Sequence, residues 1–380
     1  MRQGTFQWMK SVNKSIILNK IRKDGPISRA QIARETSLTP PTVSSSVKEL
    51  IEQKIVEESD LGQSQGGRKP TMLVINNQAF SIIGVDAGPE SIECIVADLA
   101  GKVLKRSEMK LQLPITGQEF IAALKNSIKE VLETKDPVIG IGVAMHGVVD
   151  VATGTSLYAP NLGLGNIPIK EELEKAFGLE VKVENDARAM ALGEYWFGNH
   201  GELESMLAVN MGSGVGAGLI IDGKLYHGSS DIAGEIGHMT IDLHGEVCEC
   251  GNRGCLQTFV SGPAIARKVT GKGPGNPLTA ENVFDQALGG NEEFAAILKE
   301  SGRAMGVGLT NLIHIVNPEK IILGGGVSKA EKFILPAIRE TIRASALTPA
   351  ASRTKVEVSK LGDDATLVGA ITLLLVDVFE

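Results

Sequence analysis

The sequence predicts an α/β protein built of a small N-terminal head of helix-turn-helix type followed by two strand-and-helix lobes facing each other across a cleft. Three observations predict it. Short amphipathic helix patterns separated by turn residues fill the first 53 residues. The rest of the chain twice opens with a strand, a glycine-rich turn and a second strand, each time with helices to follow. Charge is also divided unevenly, at +5 over residues 1–70 and −12 over the remaining 310 of a 380-residue chain. A basic head on an acidic body suits a protein of which only the head meets a polyanion. At 43% hydrophobic and 22% charged residues the chain is globular and long enough for a sizeable core. No apolar run reaches the ~18–20 residues of a membrane span, and the opening MRQGTFQWMK lacks a signal peptide's apolar stretch. Three of the four cysteines fall within eight residues, which is no disulfide framework. These features exclude a secreted scaffold, a membrane protein and a fibrous protein. They place the chain in the cytoplasm.

Three domains are expected: 1–76, 77–190 joined by a returning helix at 362–380, and 191–361. In the head, Asn13 caps a first helix carrying Ile16, Ile17 and Ile21, and Asp24-Gly25-Pro26 ends it. Ser28 with Gln31 has the capping-box pattern for a second, short helix burying Ile32 and Ala33. Thr39 caps a third helix with Pro40 in its first turn. That helix buries Val43, Val47, Leu50 and Ile51 and turns Thr42, Ser44, Ser45 and Lys48 outward. A hydroxyl-rich, carboxylate-poor front suits phosphates and base edges. Residues 55–58 and 68–74 read as the two strands of a wing, with Gly66-Gly67-Arg68-Lys69-Pro70 at its tip. The expected DNA contacts are Arg29, Thr39, Pro40, Thr42, Ser44, Ser45, Lys48, Arg68 and Lys69.

The body opens with strands over 81–86, 91–99 and 103–109, followed by a helix over 120–133 and strands over 138–144 and 181–184. Asn185-Asp186 then leads into a helix over 187–197. The pattern repeats with a strand over 206–211, a glycine turn over 212–218 and a strand over 219–222. A further strand at 321–323 ends in Gly324-Gly325-Gly326, and helices fill 280–316 and 329–346.

The strongest local chemistry is His238 with Cys248, Cys250 and Cys255. One imidazole and three thiols supply a closed tetrahedral set for zinc, and four protein ligands leave no open position, so the ion is structural. Cys94, alone in a strand, is an apolar filler. The turns at 212–218 and 324–326 could cradle phosphate through backbone N–H groups. Neither fits the spacing of a P-loop or of a dinucleotide fingerprint. Asn185-Asp186 at a strand-to-helix junction and Glu235 beside the cysteine cluster are candidate ligands for hydroxyl groups.

On these residues the chain resembles the ROK family of repressors, open reading frames and sugar kinases. The resemblance rests on Glu235-Ile236-Gly237-His238, the run from Cys248 to Cys255, Glu184-Asn185-Asp186-Ala187, the glycines at 212–218 and Gly324–Val327, and it covers almost the whole chain. The head places it with the repressor branch, which includes the xylose and N-acetylglucosamine repressors. The resemblance implies an actin-like, hexokinase-type and ribonuclease H-like pair of lobes, a sugar between them, and a homodimer or homotetramer. It implies that Asn161, Asn185, Glu235, His238 and Gln257 face the sugar and that Asp186 matches the kinases' general base. It also assigns Asp86, Gly88, Gly212, Gly214, Gly324 and Gly325 to a nucleotide site.

Two departures bear on activity. The family's phosphate loop D-x-G-x-T reads Asp86-Ala87-Gly88-Pro89-Glu90, with a carboxylate where phosphate approaches and a proline that lacks a donor. Gln257 stands where the family has a sugar-binding glutamate. The expectation is a sugar-responsive repressor without kinase activity, binding operator DNA, a sugar or sugar-phosphate effector and Zn²⁺. The alternatives are an active ATP-dependent sugar kinase and a DNA-binding scaffold with no small ligand.

Overall fold

The computed structural model describes residues 12–61, 70–132, 136–269 and 279–379. The head comprises α1 (Val12–Asp24), β1 (Ile27–Ser28), α2 (Arg29–Thr36), α3 (Pro40–Glu52), β2 (Val56–Leu61) and β3 (Thr71–Ile75). Its three strands pair in the order β1-β3-β2. Ile17, Leu18, Ile21, Ile32, Val43, Val47 and Leu50 form the core between the helices. Asn13 lies inside α1, which starts one residue earlier, and Ile16 faces solvent while Leu18 takes the buried place. Ile51 is half-buried. Ser28 caps α2, its Oγ accepting from the Gln31 N–H at 3.2 Å. The Gln31 side chain runs forward to Glu35 at 2.9 Å, so the capping box is half made. Thr39 caps α3 with Pro40 in the first turn. Arg68 and Lys69, expected at the wing tip, lie outside the described residues.

The first lobe runs through β4 (Ser81–Ala87), β5 (Ser91–Asp98), β6 (Val103–Lys110), α4 (Gly117–Leu132) and β7 (Val138–Met145). It continues through β8 (Val148–Asp150), β9 (Thr155–Ala159), β10 (Leu164–Ile167), α5 (Ile169–Phe177) and β11 (Glu180–Asn185). The main sheet has the order β11-β7-β4-β5-β6, while β8–β10 form a small separate sheet. Helix α4 starts at Gly117 instead of Phe120 because Thr116 and Glu119 cap each other. The Thr116 Oγ1 accepts from the Glu119 N–H at 3.3 Å, and the Glu119 carboxylate accepts from the Thr116 N–H at 2.8 Å.

The chain then passes through α6 (Asp186–Phe197) into β12 (Ser205–Met211), β13 (Val215–Ile221) and β14 (Lys224–Tyr226). The helices α7 (Gln257–Val260), α8 (Gly262–Val269), α9 (Ala280–Leu288) and α10 (Glu292–Val316) follow. Then come β15 (Lys320–Gly324), α11 (Glu331–Ser345), β16 (Lys355–Val358) and α12 (Ala365–Phe379). The second sheet has the order β14-β13-β12-β15-β16. It repeats the first: a three-stranded antiparallel meander extended by two parallel strands on the side of its first strand.

The glycine run differs from the sequence expectation. Only 212–214 form the turn, and Val215–Gly218 already belong to β13. A Cβ on Gly216 would stand 2.9 Å from the Ala187 Cβ, and one on Gly218 would overlap Ala191. These glycines admit α6 against the sheet. On its other side α6 meets α12 backbone to backbone, since a Cβ on Gly193 would lie 2.6 Å from the Ala365 carbonyl oxygen and one on Gly369 would overlap that of Ala189. The domain border expected at 190 therefore falls inside a helix that packs on both halves, and the returning helix begins at 365 after a 3₁₀ turn, Gly362–Asp364.

The head is seated on the same two helices. The Arg22 guanidinium lies 4.0 Å from the centre of the Trp196 ring, and Trp196 meets Phe379 edge-on at 5.9 Å. Asn19 Nδ2 donates to the Phe379 carbonyl at 2.7 Å. Among the described residues no helix is long and apolar enough to cross a membrane.

Gly369→Val is expected to lower stability by roughly 3 kcal/mol or more, because the branched side chain must push apart helices in backbone contact. The urea midpoint checks this against Gly163→Val, where a Cβ meets nothing within 4 Å and the cost is that of the positive φ alone.

Candidate functional site

The two lobes enclose a cavity of about 240 Å³. The first lobe lines it with Asp86, Gly88, Pro89, His146, Asn161 and, at the start of α6, Asp186. The second lines it with Asn210, Ser213, Glu235, His238, Glu249 and Gln257. Five of the six residues expected to face a ligand meet there: Asn161, Asp186, Glu235, His238 and Gln257.

Asn185 does not line the cavity. Its Oδ1 accepts from the Arg188 N–H at 3.1 Å, capping α6, and its Nδ2 donates to the Gly147 carbonyl at 2.9 Å and to Asp186 Oδ1 at 3.0 Å. It therefore holds Asp186 in place. His146 also stands in the cavity, its Nε2 3.2 Å from the Asn161 amide and its Nδ1 3.6 Å from Asp186 Oδ2. Burial lowers the proton affinity of His146, but the Asp186, Asp86 and Glu235 carboxylates outweigh it and hold the imidazole above its ordinary range. Burial pushes Glu235 up, and Asp186 adds to that. The cavity wall is thus rich in acceptors and short of fixed cations.

Below the cavity floor, the Glu184 carboxylate accepts from Arg188 Nε at 2.7 Å and lies 2.7 Å from His227 Nε2. Arg188 also donates to the Asp231 carbonyl at 2.6 Å. Burial raises Glu184, but the His227 bond and the Arg188 charge together hold it below the usual carboxylate range. This network joins the lobes beneath Asp186. Glu249, the middle residue of Cys248-Glu249-Cys250, was not anticipated as a cavity residue, and neither was Asn210.

His238, Cys248, Cys250 and Cys255 offer ligand atoms that all lie within 4.8 Å of one another. The Cys248 sulfur is 3.7 Å from His238 Nδ1, and the Cys250 and Cys255 sulfurs are 3.7 Å apart. A tetrahedron with metal–sulfur spokes of about 2.3 Å has edges of about 3.8 Å, so the donor set fits a zinc ion. With Nδ1 turned to the sulfurs, the other edge of the imidazole is left to the cavity. Gln257 Nε2 donates to Glu249 Oε1 at 2.8 Å and lies 3.4 Å from the Cys248 sulfur, so its Oε1 turns toward Gly214 and Gly237.

The glycines assigned to a nucleotide site are divided. The Gly88 N–H already donates to the Ser91 carbonyl at 3.1 Å and the Gly212 N–H to that of Gly214 at 2.9 Å. Gly324 packs on Met190, and Gly325, at φ +78°, packs on Asn210 and Met211. A separate cavity of about 550 Å³ is lined by Gly212, Ser213 and Gly326 together with Glu90, Glu281 and Asp285. Lys329, the one lysine lining it among the described residues, is paired with Asp363 at 3.0 Å.

In the head, Thr39, Pro40, Ser44, Ser45 and Lys48 are exposed and Thr42 is half-buried. The first turn of α3 carries no acidic residue. The Arg29 guanidinium is held by Glu58 at 2.8 Å, which fastens α2 to the wing.

A winged helix-turn-helix head carried on a two-lobed body of sugar-kinase architecture defines a class of DNA-binding regulators. The chain belongs to the ROK family, whose model matches residues 82–376, and a winged helix-turn-helix DNA-binding model matches residues 14–57. It is 33% identical to a xylose repressor of Caldicellulosiruptor bescii, over 99% of this chain and 98% of that one. It is 32% identical to the regulator NagC of Escherichia coli, over 98% and 94%. Among solved structures, a ROK family transcriptional regulator described as a homologue of the E. coli Mlc protein superposes with a TM-score of 0.85 at 29% identity, covering 97% of each chain. A ROK family glucokinase from Streptomyces griseus, in complex with glucose and AMPPNP, superposes at 0.70 and 31% identity, covering 77% of this chain and 98% of its own.

Burial pushes the Asp86 carboxyl to about 7, with Asp186 and Glu93 adding to it and His146 opposing. Between its unfolded value near 4 and that folded value the native state holds the extra proton, so stability falls as pH rises through this window. Asp86→Asn is expected to raise stability on the order of 2 kcal/mol at pH 8 and far less at pH 5. Melting curves at the two pH values check it, and an equal gain at both would show that ionisation of Asp86 is not the cause.

Proposed function

We propose that this protein is a sugar-responsive transcriptional repressor of carbohydrate-utilisation genes that binds a neutral monosaccharide in the interlobe cavity and has no kinase activity. The observation that carries the reading is the pairing of a recognition helix whose exposed first turn carries no acidic residue with an acceptor-lined cavity, in one chain whose head is docked on α6 through Arg22. Sugar hydroxyls are donors, and Asp186, Glu235 and Asn161 supply the acceptors that would orient them. The carboxylates Asp186 and Glu249 oppose a phosphorylated ligand, which favours a free sugar over a sugar phosphate. The relatives support the ligand class: one is named a xylose repressor, and the Streptomyces enzyme holds glucose.

Transfer of phosphate is disfavoured at three points. Glu90, Glu281 and Asp285 repel a nucleotide's phosphates from the neighbouring cavity. The Gly88 and Gly212 N–H groups are spent within their own turns. The His146 imidazole faces Asp186, the position of the kinases' base, at 3.6 Å and competes with a substrate hydroxyl for its carboxylate.

His238, Cys248, Cys250 and Cys255 hold a structural zinc ion, which ties the 240–255 loop to the cavity wall and fixes the ring of His238 and, through the Cys248 sulfur, the amide of Gln257. The head of each subunit of a cytoplasmic homodimer or homotetramer lays α3 in a major groove, with Thr42, Ser44, Ser45 and Lys48 facing the DNA and Arg68 and Lys69 at the wing tip reaching a minor groove. The sugar acts through its differential affinity for the DNA-binding and released states.

A thermal-shift screen of neutral aldoses, amino sugars, their phosphates and ATP tests the reading. One neutral sugar is expected to raise the melting temperature and to lose that effect in Asp186→Ala. ATP and the phosphates are expected to give no shift, and sugar-dependent ADP release would overturn the absence of kinase activity. Affinity for an operator selected from random DNA is expected to fall linearly with log salt, and Lys48→Ala should reduce the slope by about 1. A slope unchanged by that substitution would remove Lys48 from the phosphate contacts. Cys250→Ser is expected to release zinc, measured by metal analysis, and to weaken the sugar response at least tenfold.

A further inference from the structure

A second cavity, of about 420 Å³, shares no lining residue with the first. It lies where β11, an edge strand of the first sheet, and β14, an edge strand of the second, both reach it. Its floor is apolar: Leu192 and Trp196, one turn apart on α6, with Leu373 and Val376 of α12 and Leu225 of β14. Three lysines line it, and they are not equivalent. Lys182 is paired with Asp377 at 2.5 Å. Lys170 and Lys224 have no acidic partner among the described residues. Glu184 also lines the cavity, but its oxygens are taken by Arg188 and His227. The volume is within the range of small-molecule sites, and the lining is the usual one of such sites, an apolar body with a few polar groups.

We propose that this cavity is a second ligand site, taking a small amphiphilic anion: a carboxylate or phosphate carried on an apolar tail. The two uncompensated ammonium groups hold the charged end at the mouth, and the α6–α12 floor buries the tail. The site needs neither the sugar nor the DNA of the reading above, so the two stand or fall separately. Its occupant touches the ring on which Arg22 of the head is stacked, so binding here reaches the head by a route that bypasses the first cavity.

The chain has two tryptophans, Trp8 and Trp196, so Trp8→Phe leaves one reporter inside the cavity. The full-length Trp8→Phe protein is titrated with octanoate, octyl phosphate, octan-1-ol and octylammonium, each below its aggregation threshold and at low salt. Octanoate and octyl phosphate are expected to change the Trp196 emission saturably, at concentrations at least tenfold below those needed for octan-1-ol or octylammonium. Adding Lys170→Gln and Lys224→Gln, both at positions in contact with solvent, should raise the Kd for the two anions about tenfold and leave that for octan-1-ol unchanged. The proposal is overturned by the absence of a saturable change, by equal affinity for all four probes, or by anion binding that the lysine substitutions do not weaken. An emission that varies with protein concentration in the absence of probe also overturns it, since a second copy of the chain would then cover the cavity.

Discussion

The backbone contact between α6 and α12 sets the geometry of everything around it. Gly193 and Gly369 let the two helices touch, and Gly216 and Gly218 let α6 lie on the second sheet. Once these contacts are made, the N-terminus of α6 presents Asp186 to the cleft, its first turn sends Arg188 to Glu184, and its last turn offers Trp196 to the head. At Gly193 and Gly369 the two backbones touch directly, and further along Trp196 of α6 packs edge-on against Phe379 of α12. The pair is close-packed along its length, as expected of protein interiors. The repeated topology of the two sheets gives the frame, and the glycines give the coupling.

The cleft has the outline of a kinase's active site and the charge of a binding site. Asp186 is in place at the start of its helix, 3.6 Å from the His146 imidazole, and its neighbours Asp86 and Glu235 are carboxylates with raised proton affinity. Such a wall offers many acceptors to a donor-rich ligand. The cysteine cluster shapes the opposite wall by turning His238 and Gln257 into the cavity. The orientation of both side chains is in this way coupled to the integrity of the cysteine cluster.

Much of this was legible in the residues. Helix caps with a hydroxyl and a proline, Thr39 and Pro40, are local and were read correctly, as was the Cys₃His spacing, because both depend on neighbours in sequence. The glycines at 216 and 218 were assigned to a turn, although their reason is a helix contact with Ala187 and Ala191, which no local pattern reveals. Asn185 was expected at the ligand from the family resemblance, and its amide is instead consumed by Gly147 and the N-terminus of α6. The Thr116–Glu119 cap was overlooked although the T-x-x-E pattern was visible. The Glu184–Arg188–His227 network had no sequence signal, since its members come from a strand, a helix and a distant loop that only the fold brings together.

The position of α12 has a consequence for how the chain is made. Strands β4 and β7 close one face of their sheet with a helix that lies more than two hundred residues further along, where Gly142 of β7 receives the backbone of Ala370. While the ribosome is still making the second lobe, that face, with Ile82 and Ile95 on it, has nothing to cover it. The head meets the same difficulty, because Asn19 and Arg22 dock on Phe379. Nascent chains therefore carry a finished recognition helix on an unfinished support, and a chaperone that shields apolar strands has its longest work on the first lobe.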